Sequence, residues 1–157
     1  MTERYLRLVH YNAWANERVL EQLPALSEPY QIRPLLLLSH VLRAERIWLG
    51  RMGGTPEAGI QLWETDTLDG CRERTKANTA DFSRLLSSVD ADAFQNAVAY
   101  QNTSGTPYRT PLTEMLEHVF NHGTHHRGQI ALLIREAGQV PLPLDYIAFA
   151  RETPLEG

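Results

Sequence analysis

The sequence predicts an all-α fold: an up-down four-helix bundle with a short hairpin-like insertion before the last long helix. Three observations carry this. Four long stretches repeat apolar side chains at three- and four-residue spacing. Proline or glycine closes each of the clearest ones. The segment that breaks the period, Phe94 to Thr110, is short and has Gly105 and Pro107 at its tip.

The first helix is expected from about Thr2 to Leu23. Leu6, Val9, Ala13, Leu20 and Leu23 form its stripe, widened by Tyr5, Tyr11 and Trp14. Leu23 precedes Pro24, which pushes it out of the helical region. Ser27 to Pro34 reads as a loop. The second helix runs from Pro34 to Met52, with Leu37, Val41, Trp48 and Met52 on one stripe. Pro34 suits its first turn and Gly53-Gly54-Thr55-Pro56 stops it. A polar connection holding Trp63 leads to a third helix, Leu68 to Val89. Its apolar content is sparse, so it should be the most exposed of the set. Val98, Tyr100 and Tyr108 flank a turn, Gln101 to Pro107. The fourth helix is expected from Pro111 to Ala137, with Thr110 as N-cap and Gly138 at the C-terminal stop. Leu144 to Arg151 forms a short terminal helix.

At 157 residues and 17.8 kDa the chain fits a single domain over residues 1–157. A core of that size needs no staple, and the lone Cys71 excludes an intrachain disulfide. The net charge of −4 argues against a nucleic-acid binder working through a basic surface and against a polybasic membrane anchor. Polar residues interrupt every apolar stretch, so no secretory signal or spanning segment is expected and the protein is read as soluble and cytoplasmic.

Four of the six histidines, His118, His122, His125 and His126, fall on one helix. Residues four apart share a helix face. With His122 at zero on the wheel, Met115, Val119, Ile130 and Leu133 lie between about +20° and +80°. His126, at about +40°, falls among them, whereas His118 and His125 lie on the edge beside Gln129 and Glu136, at about −40° and −60°. His122 and His126 are therefore the pair aimed inward. Buried imidazoles need partners, and a metal would serve both. His40, on a face with Leu36, Ala44 and Ile47, is the natural third ligand. Three protein ligands leave positions for water or substrate.

Each part has an ordinary reading beside this one. A lone His40 would be a hydrogen-bonded core histidine. Histidine ladders also occur on surfaces. His10, His118 and His125 read as structural or exposed, and Cys71 as a small core residue. There is no phosphate loop, no G-x-S-x-G elbow and no H-E-x-x-H, so the general base of a metallopeptidase is missing.

The stretch from His118 to Ile130, His-Val-Phe-Asn-His-Gly-Thr-His-His-Arg-Gly-Gln-Ile, resembles the signature helix of the DinB family, the DinB/YfiT-like metalloenzymes. Tyr11-Asn12-Ala13-Trp14-Ala15-Asn16, the segment Ser39 to Leu49 and the ending Pro143-Leu144-Asp145-Tyr146 resemble it as well, so the likeness runs from about Tyr5 to Arg151. The resemblance implies a divalent metal, nickel or zinc, held by His40, His122 and His126, and a homodimer. It also implies a transferase acting through a low-molecular-weight thiol. A metal-dependent hydrolase and a non-catalytic metal-binding stress-response protein are the alternatives. Asn121 and Arg127 flank the ligands; Tyr11, Asn12, Trp14, Tyr100 and Asn102 are candidates for the pocket mouth. Glu45 is a candidate ion-pair partner of Arg127, and Trp48 a candidate interface residue.

Overall fold

A computed structural model describes residues 1–154, so the last three residues of the expected domain lie outside the described residues. Four long helices form the bundle: α1 (Thr2–Gln22), α2 (Ile32–Met52), α3 (Leu68–Ser88) and α4 (Leu112–Glu136). A β-hairpin, β1 (Ala97–Gln101) and β2 (Pro107–Pro111), precedes α4, and a short α5 (Tyr146–Glu152) follows it. The strands pair antiparallel, with Tyr100 opposite Tyr108.

Local chemistry sets the ends. Leu23 keeps helical angles, φ −54° and ψ −38°, although Pro24 follows it, and Leu23-Pro24-Ala25 tightens into a single 3-10 turn as α1 stops. Helix α2 begins two residues before the expected start, because Pro34 in the first turn has no amide hydrogen to leave unpaired. The Thr67 hydroxyl caps α3 by accepting from the Gly70 amide at 3.0 Å. Thr110 does not cap α4. It stays in β2, pairing with Val98, and Pro111 is the N-cap instead. At the other end Gly138, at φ +77°, closes a Schellman motif: its amide donates to Arg135 and that of Gln139 to Ile134.

The helix directions follow from paired contacts. On α2 and α3, Ser39 meets Cys71, Glu45 meets Asn78 and Arg46 meets Asp81, so these helices run parallel. On α2 and α4, His40 meets His126 while Trp48 meets His118, so they are antiparallel. Tyr5–Glu117 and Asn12–Arg127 make α1 and α4 parallel. The four-helix bundle and the hairpin before its last long helix are as expected. The simple alternation is interrupted once, because the segment from Gly53 to Thr67 crosses back along the bundle before α3 begins.

Two large apolar clusters, with a smaller one of Tyr11, Ala15 and Phe149, fill the interior. One holds Tyr5, Val9, Leu49, Met52, Phe82, Leu86, Phe94, Met115, Leu116 and Val119. The other holds Val19, Leu20, Leu23, Leu38, Leu42, Cys71, Ile130 and Ile134. Helix α3 contributes few buried residues, as its sparse stripe implied. On α2 the buried line passes through Leu38, Leu42 and Leu49. Leu37 and Trp48, expected on the core stripe, are half-buried. Helix α2 packs on both α3 and α4, and the Trp48 side of it faces the hairpin, where its ring meets Tyr100.

Candidate metal centre

Between the two clusters, α2 and α4 present His40, His122 and His126 to one another. One ring nitrogen from each lies within 4.8 Å of the other two. The Nε2 atom of His122 stands 3.2 Å from that of His40 and 3.1 Å from that of His126. The i, i+4 spacing on α4 produces the second distance and the antiparallel crossing of α2 the first. Nitrogens each about 2.0–2.1 Å from one ion stand roughly 2.8–3.4 Å apart at octahedral or tetrahedral angles, a range that the two distances at His122 meet.

The far side of two rings fixes their tautomers. Nδ1 of His40 lies 3.1 Å from the carbonyl oxygen of Leu62, and Nδ1 of His126 lies 2.7 Å from Oε1 of Gln129. Both partners accept, so both Nδ1 atoms carry the proton and both Nε2 atoms turn a bare lone pair toward His122. His122 can offer one of them a proton, not both. Converging lone pairs at this separation repel unless a cation sits among them. The residues present therefore fit a divalent ion.

The electrostatics agree. Burial, then the neighbouring His126 and His40, pushes the His122 imidazole down to about 4. Burial also lowers His40 and His126, against the opposing effects of their Nδ1 hydrogen bonds. All three are neutral at pH 7, the state a metal requires.

The crossover segment covers this centre. Trp63 stacks on His40 with ring centroids 3.8 Å apart and planes 14° from parallel. Arg43 pins the segment. It donates to both carboxylate oxygens of Asp66, at 3.1 and 2.6 Å, and to the Gln61 carbonyl, and it pairs with Glu64. The Asp66 amide donates to Ser39. Burial would raise the Asp66 pKa, but Arg43 and Arg74 outweigh it and hold the group below its ordinary value. Beside Trp63 a cavity of about 940 Å³ opens between α2, the crossover and the hairpin tip, lined by Ile47, Arg51, Leu62, Trp63 and Asn102 among others.

A buried polar network braces the same helices. Glu45 accepts from Asn12 (2.8 Å), Asn16 (3.4 Å) and Asn78 (3.0 Å). Arg127 donates to Asn12 (2.7 Å) and Asn16 (2.9 Å). The expected Glu45–Arg127 ion pair is thus not direct: the two asparagines of α1 stand between the charges and serve both. Gly123 makes the room, since a Cβ there would lie 2.9 Å from an Arg127 nitrogen and 3.0 Å from Asn12.

The other candidates divide. Asn12 is interior to the bundle rather than at a pocket mouth. Tyr11 and Trp14 pack on Phe149 of α5, and the Tyr11 hydroxyl donates to the Leu144 carbonyl. Asn121 and His10 are exposed. His118 stacks on His122, lies tilted against Trp48 and is outside the three-histidine cluster. Trp48, considered as an interface residue, is taken up within the chain by Tyr100, His118 and Arg51. Cys71 is buried in the core as expected. Trp63, Asn16, Asn78 and Arg43 were not singled out from the sequence. The i, i+4 pair Asn12 and Asn16 inside an apolar stripe was the available signal for the network.

The family model described as DinB family matches residues 1–156. Protein DinB of Bacillus subtilis (strain 168) is 30% identical over 165 residues, covering 93% of this chain and 93% of its own length. An uncharacterized protein of the same organism, YizA, is 22% identical over 113 residues, 72% of this chain and 70% of its own. No solved structure matches.

Proposed function

The chain belongs to the DinB family, and from that premise we propose that it is a divalent-metal-dependent transferase acting through a low-molecular-weight thiol. The observation that carries this reading is the convergence of three neutral imidazoles on one point, with Trp63 joining His40 to the wall of an open cavity. His40, His122 and His126 would hold the ion through Nε2. Zinc or nickel is the natural occupant, since imidazole suits both. A divalent ion bound there lowers the pKa of a coordinated thiol, so that the thiolate is available at neutral pH.

The protein's own groups do the rest. Leu62 and Gln129 keep the protons of His40 and His126 on Nδ1. Trp63 shields His40 from water on its stacked face. Among the described residues the cluster has no fourth histidine, cysteine or carboxylate. The absence of a fourth ligand speaks for exchange at the metal, and so against a purely non-catalytic role. The absence of a neighbouring carboxylate speaks for thiol chemistry over hydrolysis, because a metal-activated water is usually served by a general base. The buried carboxylate of Glu45 has both oxygens engaged by asparagines.

With this reading come a small-molecule thiol as partner, a homodimer and a cytoplasmic location. No helix among the described residues is long and apolar enough to cross a membrane. The test is conjugation of a thiol to an aryl halide by metal-loaded protein. The sulfur forms a bond to the ring carbon, halide leaves and the thiol proton passes to solvent. Turnover should vanish in His122→Ala and on chelation. Ester hydrolysis without thiol, at rates that thiol does not change, would replace this reading with the hydrolase.

A further inference from the structure

We propose that Arg51 is the anion-recognition residue of the cavity beside the histidines, and that the cavity's ligand is a peptide-sized small molecule with a carboxylate at the end remote from the metal. That the other end is a thiol rests on the function proposed above; the role of Arg51 does not.

Arg51 lies on the wall of the cavity that Trp63 also lines. Its guanidinium sits over two rings, 4.6 Å from the centroid of Trp48 and 5.3 Å from that of Tyr100. These rings, tilted 64° to one another, hold the group by cation–π contact, and its N–H edges remain for a ligand. Among the described residues those edges meet no acceptor. The two acids that line the cavity are engaged elsewhere: Glu57 with Arg46 at 2.7 Å and Glu64 with Arg43 at 2.8 Å. Arg51 is therefore the basic group on the cavity wall that has no acidic partner among the described residues. A free surface arginine would sample many rotamers; this one is held by aromatic contacts that cost a ligand little further ordering. A planar fork of donors of this kind matches a carboxylate.

Position sets the length of the ligand. Eleven residues separate His40 from Arg51, a rise of about 16 Å along α2. Helical side chains lean toward the N-terminus, which here is toward the histidines, and Arg51 does so by lying on Trp48. That span, shortened by the lean of Arg51, is bridged by a molecule of up to about four residues in extended length, at roughly 3.3–3.6 Å per residue. Trp63 belongs to both ends of the arrangement, since it lines the cavity and stacks on His40.

The experiment is calorimetric titration of the zinc-loaded chain with S-methylglutathione, an anionic tripeptide thioether that needs no thiolate–metal bond. Loss of one charge-assisted contact in Arg51→Gln should weaken binding about tenfold or more, while Arg51→Lys, which keeps the charge and loses the planar fork, should fall between wild type and Arg51→Gln. The diethyl ester of the same probe should bind wild type and Arg51→Gln alike. Equal affinity of the acid for wild type and Arg51→Gln, or no binding to wild type, overturns the proposal. Equal weakening of acid and ester also overturns it, by assigning Arg51 a packing role. A sulfur-to-metal charge-transfer band of the cobalt-loaded protein with glutathione reads the thiol function separately. Its absence beside intact S-methylglutathione binding would remove the thiol and leave Arg51 in place.

Discussion

At the residue scale, the centre depends on which nitrogen carries the proton. Leu62 and Gln129 hold it on Nδ1 of His40 and His126, and burial keeps all three rings neutral. The pH dependence of the metal-free protein follows with a definite sign. A histidine whose folded pKa lies below its unfolded value stabilises the fold fully above about pH 6.5, and that contribution is lost as pH falls toward the folded pKa. For His122 this window runs from 6.5 down to about 4. Melting temperatures of chelator-treated protein should therefore drop between pH 7 and 5, and His122→Leu should flatten the slope. A steeper slope in that variant would contradict the assignment. Gly123 offers a second test. Replacing glycine by alanine inside a helix normally gains up to about 1 kcal/mol. Here the added methyl would strike Arg127 and Asn12, whose disrupted charge-assisted bonds cost roughly 2–3 kcal/mol. Gly123→Ala should be less stable by chemical denaturation, against its helix propensity.

At the element scale, the crossover segment is the part that makes a site from a bundle. It places the Leu62 carbonyl and the Trp63 ring on His40, and Arg43 and Asp66 hold it there. Asp66→Asn should cost about 2–3 kcal/mol, the range for a hydrogen-bonded charge pair that is only partly exposed. It should also weaken metal retention without touching a ligand, which dialysis against a calibrated chelator would measure. The histidine geometry was legible in the sequence because α4 is long, regular and strongly periodic. The crossover was not, because Trp63 lies in a segment with no period, and its position comes from side chains on α2. Thr110 misled for a related reason: its hydroxyl suits a cap, but strand pairing with Val98 claimed its backbone first.

At the scale of the whole molecule, α2 and α3 run parallel because the chain between them is long enough to return. Extended chain covers up to roughly 3.3–3.6 Å per residue against 1.5 Å in a helix. The segment from Gly53 to Thr67 can thus span the 21-residue α2. The glycines that stop α2 were readable; the direction taken afterwards is set by partners such as Ser39 with Cys71, which no local pattern announces. The consequence is that α2 and α4 meet antiparallel, with α1 bracing both through Asn12 and Asn16 between Glu45 and Arg127. Removing one charge of this network, as in Glu45→Ala, should destabilise the fold by about 3–5 kcal/mol and lower metal content only as folding is lost. The central claim is that the three imidazoles form one metal site. Its most direct measurement is the metal content of purified, untagged protein by elemental analysis, beside His122→Ala. We expect about one equivalent of a divalent metal in the wild type and none in the variant. No metal in wild type after reconstitution with zinc, nickel and manganese, or equal metal in both proteins, would contradict it.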